Sequence, residues 1–484
     1  MSSCAKLGVV LCAPRVQGCG YRGRVTGLVD ELRAAAGADA VLTDADVTVS
    51  YARDMTPLAP AGMPVAVVLP REASTVQAVV RVCAAHGVPI VPRGAGSGLA
   101  GAANAIDGCV VLSLARMNRI IEVDADNRLA VVEPGVVNLD LRAAVEKRGL
   151  FYPPDPSSYD WCTIGGNLAT NAGGLCCVKY GVTTDFVLGL DVVLASGELL
   201  RTGRRTVKGV AGYDLTKLFV GSEGTLGVIT RATLALRPMP QAPSTLVASF
   251  GTTAAAGQAV ATIVREGMVP SLMEIMDRTS ILAVQTFLNT TVGSGADSAA
   301  LLICQSDAGG EVARRELAAI EQACTDAGAE LVYATEDLAE GRLLLAARRA
   351  VLPALETLGT WLTDDVCVPR TAITQLIGRC AEIADRLGLT IAVVGHAGDG
   401  NMHPTIVYDA TSADETARAH QAFGEIVRAG LDLGGTVTGE HGIGKIKQDW
   451  LAQEIGPVGL DVHRRIKAAL DPHNLFNPGS MFHL

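Results

Sequence analysis

Apolar residues in the first part of the chain occur either at helical spacing or in short continuous runs. Val25–Ala36 has the spacing of an amphipathic helix, and a second helix is predicted over Ser74–His86, where Ser74 and Gln77 have the pattern of a capping box. A further helix is predicted over 139–148. Strands are predicted at Pro64–Leu69, Val88–Val91, Cys109–Leu114 and Leu129–Val132. This order of elements favours an α+β domain over a doubly wound parallel sheet.

The pattern changes after the proline-rich stretch Arg237–Pro240. Strands are predicted at Leu246–Phe250, Met273–Met276, Leu301–Gln305, Asp365–Val368 and Ile391–Val394. Helices are predicted near 252–266, 278–288, 310–326 and 371–387. This repeated β-α-β order predicts a ferredoxin-like second domain. The chain is therefore divided into an N-terminal segment (1–50), a first domain (51–240) and a second domain (241–484).

The composition describes a soluble globular protein, with 49% hydrophobic and 19% charged residues. A net charge of −10 argues against a nucleic-acid partner, which needs a basic surface. No apolar run is long enough and free enough of polar residues to predict a transmembrane segment. The 12 cysteines are scattered without a C-x-x-C pair, which favours reduced thiols and argues against an iron–sulfur cluster. Residues 1–24 lack the long apolar core of a signal peptide, so a cytoplasmic location is expected.

A glycine-rich loop, Pro92–Asn104, follows directly after the predicted strand Val88–Val91. Its glycines allow backbone N–H groups to approach a ligand closely. Gly96-x-Gly98-x-x-Gly101 matches the dinucleotide-binding fingerprint, but that motif must open a helix. Here the next element is the predicted strand Cys109–Leu114, so the Rossmann interpretation fails. The residues alone leave two interpretations, a ligand-binding loop and a tight structural turn.

More stretches rich in proline or glycine follow along the chain. Tyr152–Ser158 contains three prolines, and Thr163–Asn167 and Asn171–Gly174 each contain a glycine pair. Gly221–Thr230 is a turn that enters a strand. Each stretch fits either an ordinary surface loop or a ligand loop, although a long loop inside a compact domain is more often functional.

Arg93–Ala102 resembles the first FAD pyrophosphate loop of the flavoenzyme superfamily typified by vanillyl-alcohol oxidase and p-cresol methylhydroxylase. The later stretches match the same superfamily in order and spacing. The resemblance implies a PCMH-type FAD-binding domain over 51–240. It also implies a non-covalent FAD, because Ser97 stands where some members carry the histidine that attaches the flavin. An Asn477-Pro-Gly sequence near the C-terminus also matches and would return to the flavin.

The resemblance implies the following FAD-binding residues: Pro92, Arg93, Gly94, Ala95, Gly96, Ser97, Gly98, Gly101, Ala102, Pro154, Asp155, Thr163, Gly165, Gly166, Asn167, Asn171, Gly173, Gly174, Gly224, Ile229 and Asn477.

Two histidine-containing motifs in the second domain carry candidate chemistry. His396 and His403 are predicted at the two ends of a glycine-rich turn within 395–403, and Glu440 and His441 lie in a second glycine-rich stretch, 438–445. Two histidines and one carboxylate are the ligand set of an open catalytic metal site, commonly zinc. The alternative is that these are surface histidines or hydrogen-bonded histidines of the core.

Both motifs resemble the FAD-dependent D-2-hydroxyacid dehydrogenases, which include the D subunit of glycolate oxidase, D-lactate dehydrogenase and D-2-hydroxyglutarate dehydrogenase. The resemblance implies an FAD-linked oxidase C-terminal (cap) domain over 241–484. It implies that His396, His403 and Glu440 bind a divalent metal, Zn²⁺ or alternatively Mn²⁺, and bind the substrate through that metal. His441 would be the catalytic base. Arg348 matches the arginine that binds the substrate carboxylate, and its alternative role is that of a solvated helix arginine.

The predicted function is oxidation of a D-2-hydroxyacid to the 2-oxoacid. The hydroxyglutarate enzymes carry a threonine and a lysine for a second carboxylate, where this chain has Leu352 and Thr363, so a short substrate such as D-lactate or glycolate is favoured. Electrons would pass to a separate acceptor: a quinone, a cytochrome, an electron-transfer flavoprotein or an iron–sulfur subunit. Two alternatives are a flavin oxidase of other alcohols or amines, with structural histidines, and a subunit inactive without its partners. A homodimer is left open.

Overall fold

A computed structural model describes residues 20–292 and 298–483, and the first residues of the N-terminal segment, 1–19, lie outside the described part. The N-terminal segment contains the first predicted helix, which extends over Gly20–Ala36. The helices of this segment and of the first domain are α1 Gly20–Ala36, α2 Ala45–Thr48, α3 Ala73–His86, α4 Asn138–Glu146, α5 Ile164–Thr170, α6 Cys177–Tyr180 and α7 Leu215–Phe219. Their strands are β1 Val41–Leu42, β2 Ala66–Val68, β3 Ile90–Arg93, β4 Val110–Ser113, β5 Ile120–Asp124, β6 Leu129–Val132, β7 Leu150–Phe151, β8 Val187–Val193, β9 Leu199–Gly203, β10 Val228–Ala235 and β11 Arg237–Pro238.

Two sheets build most of this domain. One has the order β1-β2-β4-β3, with β2, β4 and β3 parallel, and the other is antiparallel with the order β5-β6-β10-β8-β9. The glycine-rich loop connects β3 to its parallel neighbour β4, which confirms that it joins strand to strand. The α+β prediction is also confirmed.

The predicted capping box at the start of α3 is wrong. Glu72 is the N-cap residue and its side chain makes no capping hydrogen bond. Ser74 bonds the Glu72 carboxylate instead, and Gln77 donates to the backbone oxygen of Gly197 at 2.8 Å. The Gln77 side chain, which the local sequence predicts to cap the helix, therefore makes a tertiary contact with the turn between β8 and β9 instead.

The second domain contains one large antiparallel sheet. Its strands are β12 Ser244–Phe250, β13 Leu272–Asp277, β14 Ala300–Ser306, β15 Leu331–Thr335, β16 Thr360–Thr363, β17 Val366–Cys367, β18 Thr390–His396 and β19 Asn401–Tyr408. Its helices are α8 Thr253–Arg265, α9 Arg278–Leu288, α10 Gly310–Asp326, α11 Leu338–Arg349, α12 Val351–Glu356, α13 Ile373–Leu387, α14 Ala413–Asp432 and α15 Gln448–Leu470. The strand order is β15-β12-β14-β13-β18-β19-β16, and β17 pairs with β19. The β-α-β units β12-α8-β13 and β14-α10-β15 form the ferredoxin-like half of this sheet, as predicted.

Both faces of β12 are buried: Leu246, Ala248 and Phe250 join the core on one face, and Val247 joins the core on the other. One face packs against α8, α10, α13 and α14, whose apolar stripes join a single core with the sheet. The other face, at β13 and β18, packs against α9 and α12 and includes Leu175 from the first domain. This second face therefore lies towards the first domain and its glycine-rich loops.

The C-terminal segment returns to the first domain. The backbone of Ile90 accepts from the N–H of Asn477 and donates to the oxygen of Leu475, each at 2.8 Å. Phe476 is fully buried in the core around β3 and β4. The chain therefore ends beside the strand that leads into the glycine-rich loop.

Candidate active site

A cavity of about 550 Å³ lies between the two domains. The glycine-rich loop lines one side, and α11, β16 and the ends of β18 and β19 line the other. Among the predicted site residues, those in the lining are Pro92, Arg93, Gly94, Ala95, Gly96, Ser97, Gly98, Ala102, Asp155, Gly165, Gly166, Asn167, Gly224, Ile229, Arg348, His403, Glu440 and His441. Residues that are far apart in the sequence thus converge on one space.

The remaining predicted residues are not part of this lining: Gly101, Pro154, Thr163, Asn171, Gly173, Gly174, His396 and Asn477. Thr163 is the N-cap of α5 and accepts from the N–H of Gly166. The Asn477 side chain donates to the backbone oxygens of Ala102 and Glu223, each at 2.8 Å. Asn477 therefore supports two lining loops from behind instead of lining the cavity itself.

Close approach explains the glycines of the first loop. A Cβ on Gly94 would lie 2.5 Å from Oγ1 of Thr163, and Gly96, at φ 84°, has no room for a Cβ beside the guanidinium of Arg93. Arg93 donates to the backbone oxygens of Arg53 and Ala103, which fixes the start and the end of the loop. The loop is therefore held in a conformation that exposes backbone to the cavity.

Asp54 is a support of this loop that the sequence did not reveal. Its carboxylate accepts from the N–H of Gly101 at 2.8 Å and from that of Thr56 at 3.0 Å. Burial raises the pKa of Asp54 to about 6, although these hydrogen bonds and the charge of Arg93 act in the opposite direction.

A β-hairpin places the two motif histidines. His396 is the last residue of β18, and His403 lies inside β19, opposite Val394. The prediction that His403 ends a turn is therefore wrong, because β19 already begins at Asn401. The two imidazole centroids are 5.1 Å apart, and both residues are buried.

Glu440 completes the cluster. Its Oε1 lies 3.3 Å from Nε2 of His403 and 3.5 Å from Nε2 of His396. One ligand atom from each of these three residues lies within 4.8 Å of the others. Gly173 of the first domain packs against this carboxylate so closely that a Cβ there would lie 2.5 Å from Oε2. Two imidazole nitrogens and a carboxylate oxygen at these separations fit a divalent cation.

His441 stacks on His403, with ring centroids 5.0 Å apart and planes 14° from parallel. Its Nε2 lies 3.8 Å from Oε1 of Glu440. Burial lowers the pKa of His441, and the nearby His403 and Lys447 charges act in the same direction, whereas Asp365 and Glu440 oppose them. The balance favours a neutral imidazole that can accept a proton.

Asp365 organises the loop that carries Glu440 and His441. Its Oδ2 accepts from the N–H groups of Gly439, Glu440 and His441 at 2.8–3.0 Å and from the Thr438 hydroxyl at 2.6 Å. Burial would raise the pKa of Asp365, but the charges of His441, Lys447 and His403 hold it below its usual range. The carboxylate thus turns successive N–H groups inwards and leaves the side chains facing the cavity.

Glu274 supports the other side of the cluster. Its Oε1 lies 2.6 Å from Nδ1 of His396, and its Oε2 accepts from Nε of Arg348 at 2.9 Å. Burial would lower the pKa of His396, but the carboxylates of Glu274 and Glu440 hold it well above its usual range. They favour a positive charge at this imidazole, which a proton or a metal cation at Nε2 would supply.

Arg348 is not a solvated helix arginine, since it lines the cavity and is paired with Glu274. Its neighbour Arg349 also lines the cavity. Asp365 and Glu274 were missed by sequence reasoning. The available signal was a carboxylate inside or beside a buried strand, because an unpaired charge is rarely buried there.

A glycine-lined cavity of this size, beside a buried cluster of imidazoles and carboxylates, is typical of an enzyme that binds a cofactor. Gly94 and Gly96 pack so closely against Thr163 and Arg93 that a Cβ has no room, and this packing brings their backbone to the cavity, which fits a large phosphate-bearing cofactor.

The chain belongs to the FAD-linked oxidases. Residues 64–203 match the FAD binding domain family, and residues 239–481 match the C-terminal domain family of FAD linked oxidases. The protein is therefore an FAD-linked oxidoreductase with a PCMH-type FAD-binding domain.

Relatives of known name cover most of the chain. It is 43% identical over 433 residues to the glycolate oxidase subunit GlcD of Bacillus subtilis, covering 89% of this chain and 92% of that protein. It is 34% identical over 470 residues to the probable mitochondrial D-lactate dehydrogenase of Danio rerio, covering 95% and 92%. A structure of p-cresol methylhydroxylase with substrate bound superposes with a TM-score of 0.80 at 21% identity, covering 96% of this chain and 98% of that one, which shows the shared fold. Within 20–292 and 298–483, the helices are too short or too polar to span a membrane.

Proposed function

We propose that this protein is a cytoplasmic, FAD- and divalent-metal-dependent dehydrogenase that oxidises a short D-2-hydroxyacid, such as D-lactate or glycolate, to the 2-oxoacid. The observation that carries the proposal is the His396–His403–Glu440 cluster, with His441 stacked against it, at a cavity lined by the FAD-domain loops. The relatives named for glycolate and D-lactate oxidation support the substrate class.

The first-domain loops hold FAD without a covalent bond. Gly94–Gly98 offers backbone N–H groups, and Ser97 has no imidazole nitrogen with which to attach a flavin. The chemistry that bound FAD would supply is acceptance of a hydride, one proton with two electrons, from the α-carbon of the substrate. Acid or heat is therefore expected to release FAD from the precipitated chain.

Nε2 of His396, Nε2 of His403 and Oε1 of Glu440 hold the metal, Zn²⁺ or Mn²⁺. A bound divalent cation lowers the pKa of a coordinated hydroxyl, as it does for water. The three ligands leave open the positions that a hydroxyl and a carboxylate oxygen of the substrate can take.

His441 removes the hydroxyl proton, which its Nε2 accepts because burial keeps the ring neutral. The guanidinium of Arg348 binds the substrate carboxylate, since only its Nε is bonded to Glu274 and both Nη groups remain for a bidentate contact. Leu352, Trp361 and Thr363 line the cavity near this end. These three residues offer no cation for a second carboxylate, which supports a short substrate. Of the other charged residues on α11, Arg349 is the one in the cavity lining.

The electrons leave through a separate acceptor protein or quinone. The GlcD relatives of Bacillus subtilis and Escherichia coli are named as subunits, which supports a protein partner.

Anaerobic rapid mixing with both enantiomers of a 2-hydroxyacid panel tests the proposal. Short D-acids (and glycolate) are expected to bleach the flavin, and chelator treatment to abolish this until Zn²⁺ or Mn²⁺ is restored. Flavin reduction at full rate by the metal-free protein would contradict the metal dependence. Reduction only by simple alcohols or amines would favour a flavin oxidase with structural histidines. A redox dye added to the isolated chain distinguishes an active dehydrogenase from a subunit that is inactive alone.

A further inference from the structure

One buried carboxylate, Glu274, contacts both the proposed metal cluster and the arginine proposed to bind substrate. It lies on β13, and the pairing of β13 with β18 places Glu274 directly opposite His396. Its side chain is 0% exposed. Oε1 lies 2.6 Å from Nδ1 of His396, and Oε2 lies 2.9 Å from Nε of Arg348. The two oxygens therefore serve two different functional groups.

The contact with His396 determines which ring nitrogen carries the proton. A carboxylate only accepts, so Nδ1 must donate, and the lone pair of the neutral ring is then at Nε2. Nε2 is the nitrogen that faces Glu440, at 3.5 Å. Glu274 thus keeps His396 in the tautomer that can bind a metal.

The contact with Arg348 fixes the guanidinium by its Nε edge. This leaves the two Nη groups in one plane for a carboxylate. Glu274 also supplies a negative charge beside an arginine that would otherwise face a metal cation with no compensation.

Packing alone does not explain a charged residue here. The neighbours of Glu274 along β13, Met273 and Ile275, are buried apolar residues of the core. A buried ion pair is often no more stabilising than apolar residues of similar volume. A carboxylate at this position therefore points to a role in holding its two partners.

We propose that Glu274 is a positioning residue that sets the affinity for the metal and the affinity for the substrate carboxylate together. This inference rests on the proposed function of the same site. It predicts that one substitution weakens two binding events whose ligand residues, His396 and Arg348, are not otherwise connected by a hydrogen bond.

Glu274→Gln makes the prediction specific, because an amide has one accepting oxygen and one donating nitrogen. It cannot accept from Nδ1 of His396 and Nε of Arg348 at once. If the amide nitrogen faces His396, the ring must protonate Nε2 and lose its ligand atom. If the amide nitrogen faces Arg348, its N–H group lies against Nε–H of the arginine, and no hydrogen bond can form between two donors. We expect metal affinity to fall ~10–100-fold and KM for the 2-hydroxyacid to rise.

The experiment is a titration of the FAD-loaded, metal-depleted protein with Zn²⁺ or Mn²⁺ in the presence of a competing chelator, followed by measurement of KM and kcat. Asp277→Asn is the matched control, because Asp277 is a buried carboxylate on the same strand that caps α9 through Ser280. The control is expected to bind metal as the wild type does. Glu274→Asp keeps both acceptors and is expected to lie between wild type and Glu274→Gln in both affinities.

Wild-type metal affinity and KM in Glu274→Gln would overturn the inference. A loss of metal affinity equal in Asp277→Asn would do the same, since it would indicate general damage to the sheet. If Glu274→Gln fails to retain FAD, Glu274→Asp decides, and wild-type values for both affinities in that variant would reject the positioning role. If the wild-type protein itself binds neither metal, the proposed function fails instead.

Discussion

The two glycine-rich regions of the cavity use glycine in opposite ways. In the first-domain loop, the absence of a Cβ at Gly94 and Gly96 allows the backbone to reach the cavity. The charged side chains of Asp54 and Arg93 form hydrogen bonds with backbone atoms of the loop and its surroundings. In the second domain, Gly439 leaves space for Asn401, and other glycines of that loop leave space for first-domain atoms. There the backbone faces inwards and the side chains face the cavity.

This difference indicates which kind of substitution should impair ligand binding in each region. A region that binds through its backbone tolerates changed side chains but is sensitive to an added Cβ. A region that binds through side chains depends on particular residue types, and its glycines set only where those residues point. A substitution in the first region should therefore weaken the binding of FAD and leave metal binding unchanged, and a substitution in the second region should do the reverse.

The largest effect is expected from Glu440→Ala. It removes one of three proposed ligands, and two imidazoles alone bind a divalent cation weakly. Metal content should fall below detection after gel filtration, and turnover should fall by orders of magnitude, while the flavin spectrum stays unchanged. Metal analysis and absorbance of the same sample measure both. Loss of FAD together with the metal would contradict the proposal that the two regions bind their ligands independently.

His441→Ala should separate the two proposed functions of the second region, metal binding and proton transfer. The variant keeps the three proposed ligands, so its metal and FAD contents should match those of the wild type. Without the base, flavin reduction by substrate should slow by ~10²–10⁴-fold. Rapid-mixing absorbance measures the rate. If His441→Ala loses its metal and Glu440→Ala keeps it, the two roles have been assigned in the wrong order.

Gly96→Ala tests the first region. The residue has φ 84°, and a Cβ there would displace the guanidinium of Arg93. We expect FAD to be retained about tenfold more weakly, with metal affinity unchanged. Gly212→Ala is the control, because it has a similar φ of 79° but open space around its Cβ. Equal loss of FAD in both variants would attribute the effect to backbone strain rather than to the loop.

Contiguous motifs made much of this site predictable. The first glycine loop and the two histidine motifs are continuous in sequence, so they could be matched to known flavoenzymes, and that resemblance indicated a ligand. The partners of the supporting carboxylates were not predictable, because they are distant in sequence: Glu274 and His396 are 122 positions apart. The failed capping box at Ser74 and Gln77 has the same cause, since Gln77 bonds a turn 120 positions away. The local sequence pattern predicts helices and strands, but hydrogen bonds between residues distant in sequence depend on how the sheets assemble.

Glu223 connects the two regions, and its titration is expected to change stability without removing a proposed ligand. It lies in a first-domain turn, and its two carboxylate oxygens accept from the N–H groups of Ile443 and Gly444 in the second-domain loop, each at 2.7 Å. These bonds favour the ionised form, but burial favours the neutral form and raises the pKa of Glu223 from 4.5 to about 7.

The sign of the resulting pH dependence follows from that shift. Between pH 4.5 and 7 the folded protein holds a proton that the unfolded chain has released, so this group's contribution to the unfolding free energy falls as the pH rises. The total change is about 3 kcal/mol at ~1.4 kcal/mol per pKa unit. Glu223→Gln does not titrate, so the unfolding free energy of wild type minus that of the variant should decrease from pH 5 to pH 8. Urea titrations of both proteins at each pH measure the difference. A difference that increases with pH would mean that the two N–H bonds outweigh burial, and that the ionised carboxylate holds the two glycine-rich regions together.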